Sequence, residues 1–154
     1  MTVVVGYVPT QTGFCAVEEA GREARSRDVA VVVVNVVGAA GYTLPTAADD
    51  CDLDAVTAHL TENGVRNSRR RVIDDVAPPA NGILRVAHDV DASLIVLGLR
   101  KRSRIARRLL GGTAQSVLLA APCPVLIVPN VDHGRDRCAN RGFHGGEAPP
   151  DARQ

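Results

Sequence analysis

In the stretch Ser93-Leu94-Ile95-Val96-Leu97-Gly98, four apolar residues follow one another and a glycine ends the run. An uninterrupted apolar run of this length is typical of a central strand that is covered on both faces. Residues 2–8 and 29–37 have the same character, and only Asn35 interrupts the second of them. Three such runs in one chain predict a sheet that is buried between two layers of helices.

Amphipathic segments separate these strands. Apolar residues recur at helical spacing within 16–24, 53–60 and 83–90. Pro78 and Pro79 can begin the third helix, because the first helical turn does not use the amide that proline lacks. A fourth helix is predicted over 113–121, and Pro122 and Pro124 end it.

Two further strands complete the predicted sheet. Residues 125–128 are apolar and form the last strand, whereas residues 65–73 carry three consecutive arginines, Arg69 to Arg71. Charge of this kind is tolerated at the edge of a sheet, so we expect an edge strand there. Strands that alternate with helices predict an α/β fold, with a five-stranded parallel sheet and helices on both faces.

The chain is predicted to form one domain over residues 1–130, followed by a disordered polar tail over residues 131–154. The 154 residues suffice for a hydrophobic core, since 45% of them are hydrophobic. From residue 131 onward the sequence is rich in Asp, Arg, Gly, Asn and Pro and has little to bury.

Composition narrows the classes of function. The net charge of +1 gives no global attraction to nucleic acid or to a membrane. No apolar run approaches the length of a membrane span, and the N-terminus does not resemble a secretion signal, so we expect a cytoplasmic protein without membrane contact. The four cysteines form no C-x-x-C pair, the four histidines show no ligand spacing, and we therefore expect no metal site.

The segment that follows Gly98 predicts a binding site for an anion. In an open parallel sheet, ligands bind at the carboxyl ends of the strands, where the winding reverses. The backbone amides of Gly112, Thr113 and Ala114 would begin the next helix and point toward a phosphate with the positive end of the helix dipole. Six basic residues lie between Leu99 and Leu110 without any acidic residue.

The C-terminal half of the chain resembles the universal stress protein family. The resemblance lies in three segments, namely residues 93–98, the run Gly111-Gly112-Thr113-Ala114-Gln115, and residues 121–129. It implies a Rossmann-like fold of the adenine nucleotide alpha hydrolase type and a regulatory role in stress. It also implies binding of ATP, with Mg²⁺, at the loop between strand four and helix four.

Family members that bind ATP carry a glycine, two residues, a second glycine, nine residues, and a third glycine followed by Ser or Thr. Gly98 and Gly111 match the first and third glycines, whereas Lys101 stands at the second and Gly112 at the Ser or Thr position. Lys101 could either bind a phosphate or fill the space of the ligand.

The resemblance adds three residues to the predicted nucleotide site. Tyr7 stands where the family usually has an aspartate, Val37 where a small apolar residue packs beside the adenine, and Leu97 directly before Gly98. Tyr7 could stack on a base, although an aromatic residue at the end of a central strand is more often part of the core.

Other functions stay open on sequence grounds. The domain could act as an interaction module without nucleotide, and under both hypotheses the resemblance implies a homodimer that pairs through Val125, Leu126, Ile127 and Val128. Nucleic-acid binding by the arginine clusters is a weaker alternative, because no aromatic residue lies among them. No catalytic motif is present, and only slow ATP hydrolysis would be expected if ATP binds.

Overall fold

The computed structural model describes residues 1–37, 47–73, 78–99 and 111–129, and in these ranges strands and helices alternate along the chain. The elements are β1 (Thr2–Gly6), α1 (Gln11–Arg27), β2 (Ala30–Val37), α2 (Asp50–Glu62), β3 (Asn67–Ile73), α3 (Pro79–Asp89), β4 (Ala92–Leu99), α4 (Gly112–Ala120) and β5 (Val125–Pro129).

The five strands form one sheet in the order β3-β2-β1-β4-β5, and all neighbouring strands are parallel. β1 and β4 are adjacent although about ninety residues separate them in the sequence. The winding of the chain therefore reverses between these two strands. The predicted five-stranded parallel sheet with helices on both faces is confirmed.

Each face of the sheet carries its own hydrophobic core, because successive residues of a strand point to opposite faces. On one face, Val3 and Val5 of β1 pack with α1 and α2. On the other face, Val4 of β1 packs with α3 and α4. The strands are thus covered on both sides, which explains why β1, β2 and β4 are almost entirely apolar.

The arginine-rich strand β3 lies at one edge of the sheet, as predicted. Most of its side chains are exposed, and only Val72 is buried. Arg69 forms an ion pair with Asp54, and Arg71 forms one with Asp50 at 3.1 Å, so that the edge strand is tied to α2 by charge. Exposed ion pairs of this kind contribute little to stability.

Several expectations fall beyond the described residues. The tail predicted over residues 131–154, Lys101, and the basic residues between Leu99 and Leu110 all lie outside the described ranges. Among the described residues, no helix combines the length and the apolar composition that crossing a membrane would require.

Tyr7 follows β1 directly, and its side chain lies in the core on the α1 and α2 face. The residue is only 2% exposed and belongs to the same hydrophobic cluster as Leu53 and Val56. Its hydroxyl group has no hydrogen-bond partner in the described part of the chain. Burial raises the pKa of Tyr7 to about 12, and the nearby carboxylates of Asp52 and Asp49 add to this effect.

We expect Tyr7→Phe to leave the free energy of unfolding at neutral pH unchanged or to raise it by up to about 1 kcal/mol, because a buried hydroxyl without a partner keeps its desolvation cost. Urea unfolding followed by circular dichroism measures this change. A loss of more than about 1 kcal/mol would show that the hydroxyl is bonded after all.

The same pair of proteins should diverge at alkaline pH. A tyrosine in the unfolded chain ionises near pH 10.0, whereas folded Tyr7 keeps its proton up to about pH 12. The stabilisation that comes from this difference in pKa is therefore fully present below pH 10.0 and is lost as the pH rises through about 12. The loss is on the order of 2 kcal/mol and should be absent from Tyr7→Phe. Equal alkaline losses in both proteins would contradict the raised pKa.

Candidate functional site

A cavity opens at the carboxyl ends of β1 and β4, where the winding of the sheet reverses. Its volume is about 220 Å³. Its lining residues come from the strand ends and from the beginnings of three helices: Gly6, Tyr7, Val8, Thr10, Thr12, Val34, Val36, Pro79, Ile83, Leu97, Gly98, Leu99, Gly111, Gly112, Thr113 and Ala114. Ligands of open parallel sheets bind at this position.

The floor of the cavity is apolar. It is built from Val34 and Val36 of β2, Ile83 of α3 and Leu97 of β4, all of which are buried side chains of the core on the α3 and α4 face. Such a surface suits the flat face of an aromatic ring system, because contact with it removes apolar area from water. No carboxylate or cationic side chain lies among the described lining residues.

The polar groups of the cavity come from helix N-termini. α4 begins at Gly112. Its N-cap residue is Gly111, which has no side chain to accept a hydrogen bond from the first amides of the helix. The first intrahelical bond of α4 starts from the amide of Gln115, so the amides of Gly112, Thr113 and Ala114 have no acceptor within the helix. Together with the helix dipole, these amides favour a negatively charged group.

The absence of a side chain at Gly98 is required by the close approach of α1. A Cβ atom at Gly98 would lie 2.7 Å from Cγ2 of Thr12 and 2.7 Å from its backbone oxygen. The first turn of α1 thus lies so close to β4 that only glycine fits at position 98. A larger residue at Gly98 would displace α1, and its effect on binding could not be separated from its effect on folding.

Gly111 and Gly112 differ from Gly98 in this respect. A Cβ atom at either position would meet no atom of the described chain within 4 Å, and neither residue has a positive φ. The fold described here therefore does not need glycine at these two positions. The open space beside them belongs to the rim of the cavity, which both residues border.

The structure brings most of the predicted nucleotide-binding residues together. Leu97, Gly98, Gly111, Gly112 and Thr113 all border the cavity. Lys101 lies outside the described residues.

Two predicted site residues are placed differently from what the prediction requires. Among the described residues that border the cavity, Val37 is missing, and Val34 and Val36 are present. Alternation along β2 puts these two side chains on the cavity side of the sheet. Tyr7 borders the cavity, but its ring is buried in the core of the opposite face and is not available for stacking on a base.

Sequence reasoning missed the contribution of α1. Thr10 and Thr12 border the cavity from the first helix, and Pro79 and Ile83 border it from the third. A signal for Thr10 was present, because a threonine three residues before Gly13 is an N-cap pattern, and its hydroxyl oxygen does accept from the Gly13 amide at 3.2 Å. Nothing in the sequence indicated that this helix start borders the same cavity as the start of α4.

The arginine cluster at residues 66–71 lies within the described ranges, and three of its four arginines are near carboxylates rather than unpaired for a nucleic acid. Arg66 lies 3.9 Å from a carboxylate oxygen of Asp28, and Arg69 and Arg71 are paired with acids of α2. Within the described ranges, no group of three His, Cys, Asp or Glu side chains could hold a metal ion.

Comparison with known proteins gives consistent matches. The model of the universal stress protein family matches residues 1–129. A universal stress protein of Mycolicibacterium smegmatis is 35% identical over 126 residues, which cover 82% of this chain and 95% of that protein. A universal stress protein of Mycobacterium tuberculosis is 30% identical over 150 residues, and there the chain spans 50% of the relative's length.

Solved structures share the fold. A universal stress protein from Archaeoglobus fulgidus aligns with a TM-score of 0.67 at 27% identity and covers 83% of this chain and 98% of that one. A universal stress protein in complex with cAMP aligns with a TM-score of 0.69 at 24% identity, covering 83% and 96%. The family match across residues 1–129, together with this fold, shows that the chain belongs to the universal stress protein family.

Proposed function

We propose that this stress protein binds an adenine nucleotide in the cavity between β1 and β4 and that it acts as a nucleotide-dependent regulator. One observation carries the proposal: an apolar floor lies beside free helix amides in the same cavity. A nucleotide needs both features, since its base is flat and largely apolar and its phosphate is an anion.

Structures of the same fold support this class of ligand. One universal stress protein was solved in complex with cAMP, and one from Archaeoglobus fulgidus was solved in complex with dAMP. Both ligands carry an adenine base and one phosphate. At 24% identity these proteins share the fold with this chain, so the support extends to the position of the site and not to individual residues.

The choice between ATP with Mg²⁺ and a monophosphate depends on the rim of the cavity. The described lining residues include no carboxylate for Mg²⁺, so within the described part of the site the ion would depend on phosphate oxygens, water and neutral protein oxygens. Lys101, included in the proposed site on sequence grounds, would add a charge for further phosphates. ATP with Mg²⁺ and AMP are therefore titrated separately in the test.

We expect Gly111→Val to weaken nucleotide binding at least about tenfold, which corresponds to about 1.4 kcal/mol, because the new side chain occupies the rim of the cavity. The thermal midpoint of the free protein should stay close to that of the wild type, since the position is open. Calorimetric titration of the nucleotide-stripped protein with AMP and with ATP plus Mg²⁺ measures the affinity.

Ala120→Val is the matched control for this experiment. It adds the same kind of bulk to an exposed residue at the far end of α4 and should leave the affinity unchanged. If wild-type protein binds neither nucleotide, or if Gly111→Val binds as well as the wild type, the proposed site is wrong.

A homodimer is the second part of the proposal. β5 is an edge strand, and its residues Val125 to Val128 are only partly buried. On the neighbouring helix α4, Leu118 is 41% exposed and Leu119 is 82% exposed. An apolar edge next to exposed leucines favours pairing with a second copy of the chain. The cytoplasmic location stays a prediction.

We expect Leu119→Lys to raise the dissociation constant of the dimer at least about tenfold. The side chain is exposed, so the fold of each subunit should not change. Charges at Leu126 or Ile127 would be less informative, because both side chains pack against the two cores. Sedimentation velocity over a concentration series measures the association.

Ile73→Lys is the control for the dimer experiment. Ile73 is 64% exposed on the opposite edge strand, β3, and its replacement should leave the dimer intact. A wild-type protein that stays monomeric, or a dimer that only Ile73→Lys disrupts, would argue against pairing through β5.

A further inference from the structure

We infer that Thr12 is a ligand-binding residue of the cavity and that the start of α1 forms a second phosphate-binding arm beside the start of α4. This inference rests on the proposed function, because it names the groups that would bind the phosphate of the nucleotide. The two arms are the first turn of α1 with Thr12 and the first turn of α4 with Thr113, and both border the same cavity.

The hydroxyl group of Thr12 is available to a ligand. Thr12 is one of two polar residues in the described chain that are buried, and its exposed fraction is 8%. No described residue forms a hydrogen bond with its hydroxyl. The hydroxyl oxygen still has some contact with solvent, unlike that of Tyr7. Thr12 also lines the cavity, and in this proposal the hydroxyl lies on the cavity side.

Contact with β4 fixes the orientation of this side chain. Cγ2 of Thr12 lies 2.7 Å from the point that a Cβ of Gly98 would occupy, so the methyl group is directed at the strand. A threonine side chain has only staggered rotamers, and a methyl group packed on β4 leaves the hydroxyl in one defined direction. A preoriented hydroxyl binds a ligand without a further loss of rotamer freedom.

Backbone amides of α1 add to this arm. Thr10 caps the helix, and its side chain accepts from the Gly13 amide while its carbonyl oxygen accepts from Phe14. The amides of Gln11 and Thr12 precede these bonds and have no acceptor within the helix. The hydroxyl oxygen of Thr10 is thus occupied by the cap, whereas Thr12 and the first two amides of α1 are left for an anion.

This arrangement selects a phosphorylated ligand over its nucleoside. The two arms would bind the phosphate, and the apolar floor would bind the base in either case. Loss of the Thr12 hydroxyl should therefore weaken the binding of AMP without changing the binding of adenosine. A purely structural role of Thr12 would change both affinities together.

The test compares Thr12→Val with Thr12→Ser and the wild type in calorimetric and competition titrations with AMP and adenosine. Thr12→Val keeps the shape of the side chain and its contact at Gly98, and we expect it to bind AMP at least about fivefold more weakly with unchanged adenosine binding, as loss of one hydrogen bond implies. Thr12→Ser keeps the hydroxyl and should retain most of the AMP affinity. Thr57→Val, which removes a hydroxyl that bonds the Leu53 carbonyl within α2, is the control and should bind as the wild type does.

The outcomes separate this inference from the proposed function. Nucleotide binding that is equal in wild type and Thr12→Val, or a parallel loss of AMP and adenosine, would overturn the role of Thr12 and leave the proposed function standing. If the wild type binds neither ligand, the proposed function fails, and amide NMR with inorganic phosphate then decides about the two arms. Shifts at Gln11 and Thr12 as well as at Gly112 and Thr113 would support them, and no shift at Gln11 and Thr12 would overturn them.

Discussion

The parallel pairing of β1 with β4 determines where everything else in this protein can lie. Val3 pairs with Leu94 and Gly6 with Leu97, so the carboxyl ends of β1 and β4 lie side by side at the same end of the sheet. The helices that follow parallel strands begin at the carboxyl ends of those strands. α1 and α4 therefore start close together, although they cover opposite faces, and the gap between their first turns is the cavity.

The close approach of α1 to β4 shows how sequence and site depend on each other. Only a glycine at position 98 lets the backbone of Thr12 come as near as it does. This glycine is therefore required whether or not a ligand binds, and its match to a nucleotide-binding motif is weaker evidence for nucleotide than the motif suggests. Gly111 and Gly112 have no such structural requirement in the described chain, so they are the better positions for testing the proposed ligand.

Much of the fold could be predicted from the sequence, because its signals are local. Apolar runs indicated the buried strands, and the three arginines of β3 indicated an edge, where Arg69 and Arg71 now pair with α2. The resemblance to the family predicted a site at the carboxyl ends of the strands, and the described cavity lies there. Most elements agree with the prediction to within a few residues at each end, whereas α1 begins at Gln11, five residues before the predicted 16–24.

Individual site residues were harder to predict, because their roles depend on the face to which a side chain points and on contacts between distant segments. A shift of one residue along β2 separates Val36, which borders the cavity, from Val37, which does not. The ring of Tyr7 is in the core for the same reason. The position of Thr12 depends on a contact with Gly98, eighty-six positions away, and no local pattern reports such a contact.

In the described cavity, the groups suited to an anion belong to the backbone rather than to charged side chains. Two helix starts supply amides and dipoles that are fixed by the fold, and the lining residues of the described chain carry no charge. Amides of this kind need no side chain, so glycine at position 112 keeps an N–H that could bind the phosphate of the proposed ligand. A serine or threonine there would add a hydroxyl, but Thr113 and Thr12 also line the same cavity. The departure from the family motif at Gly112 therefore removes one hydrogen-bonding group from a site that retains others, and it is compatible with nucleotide binding.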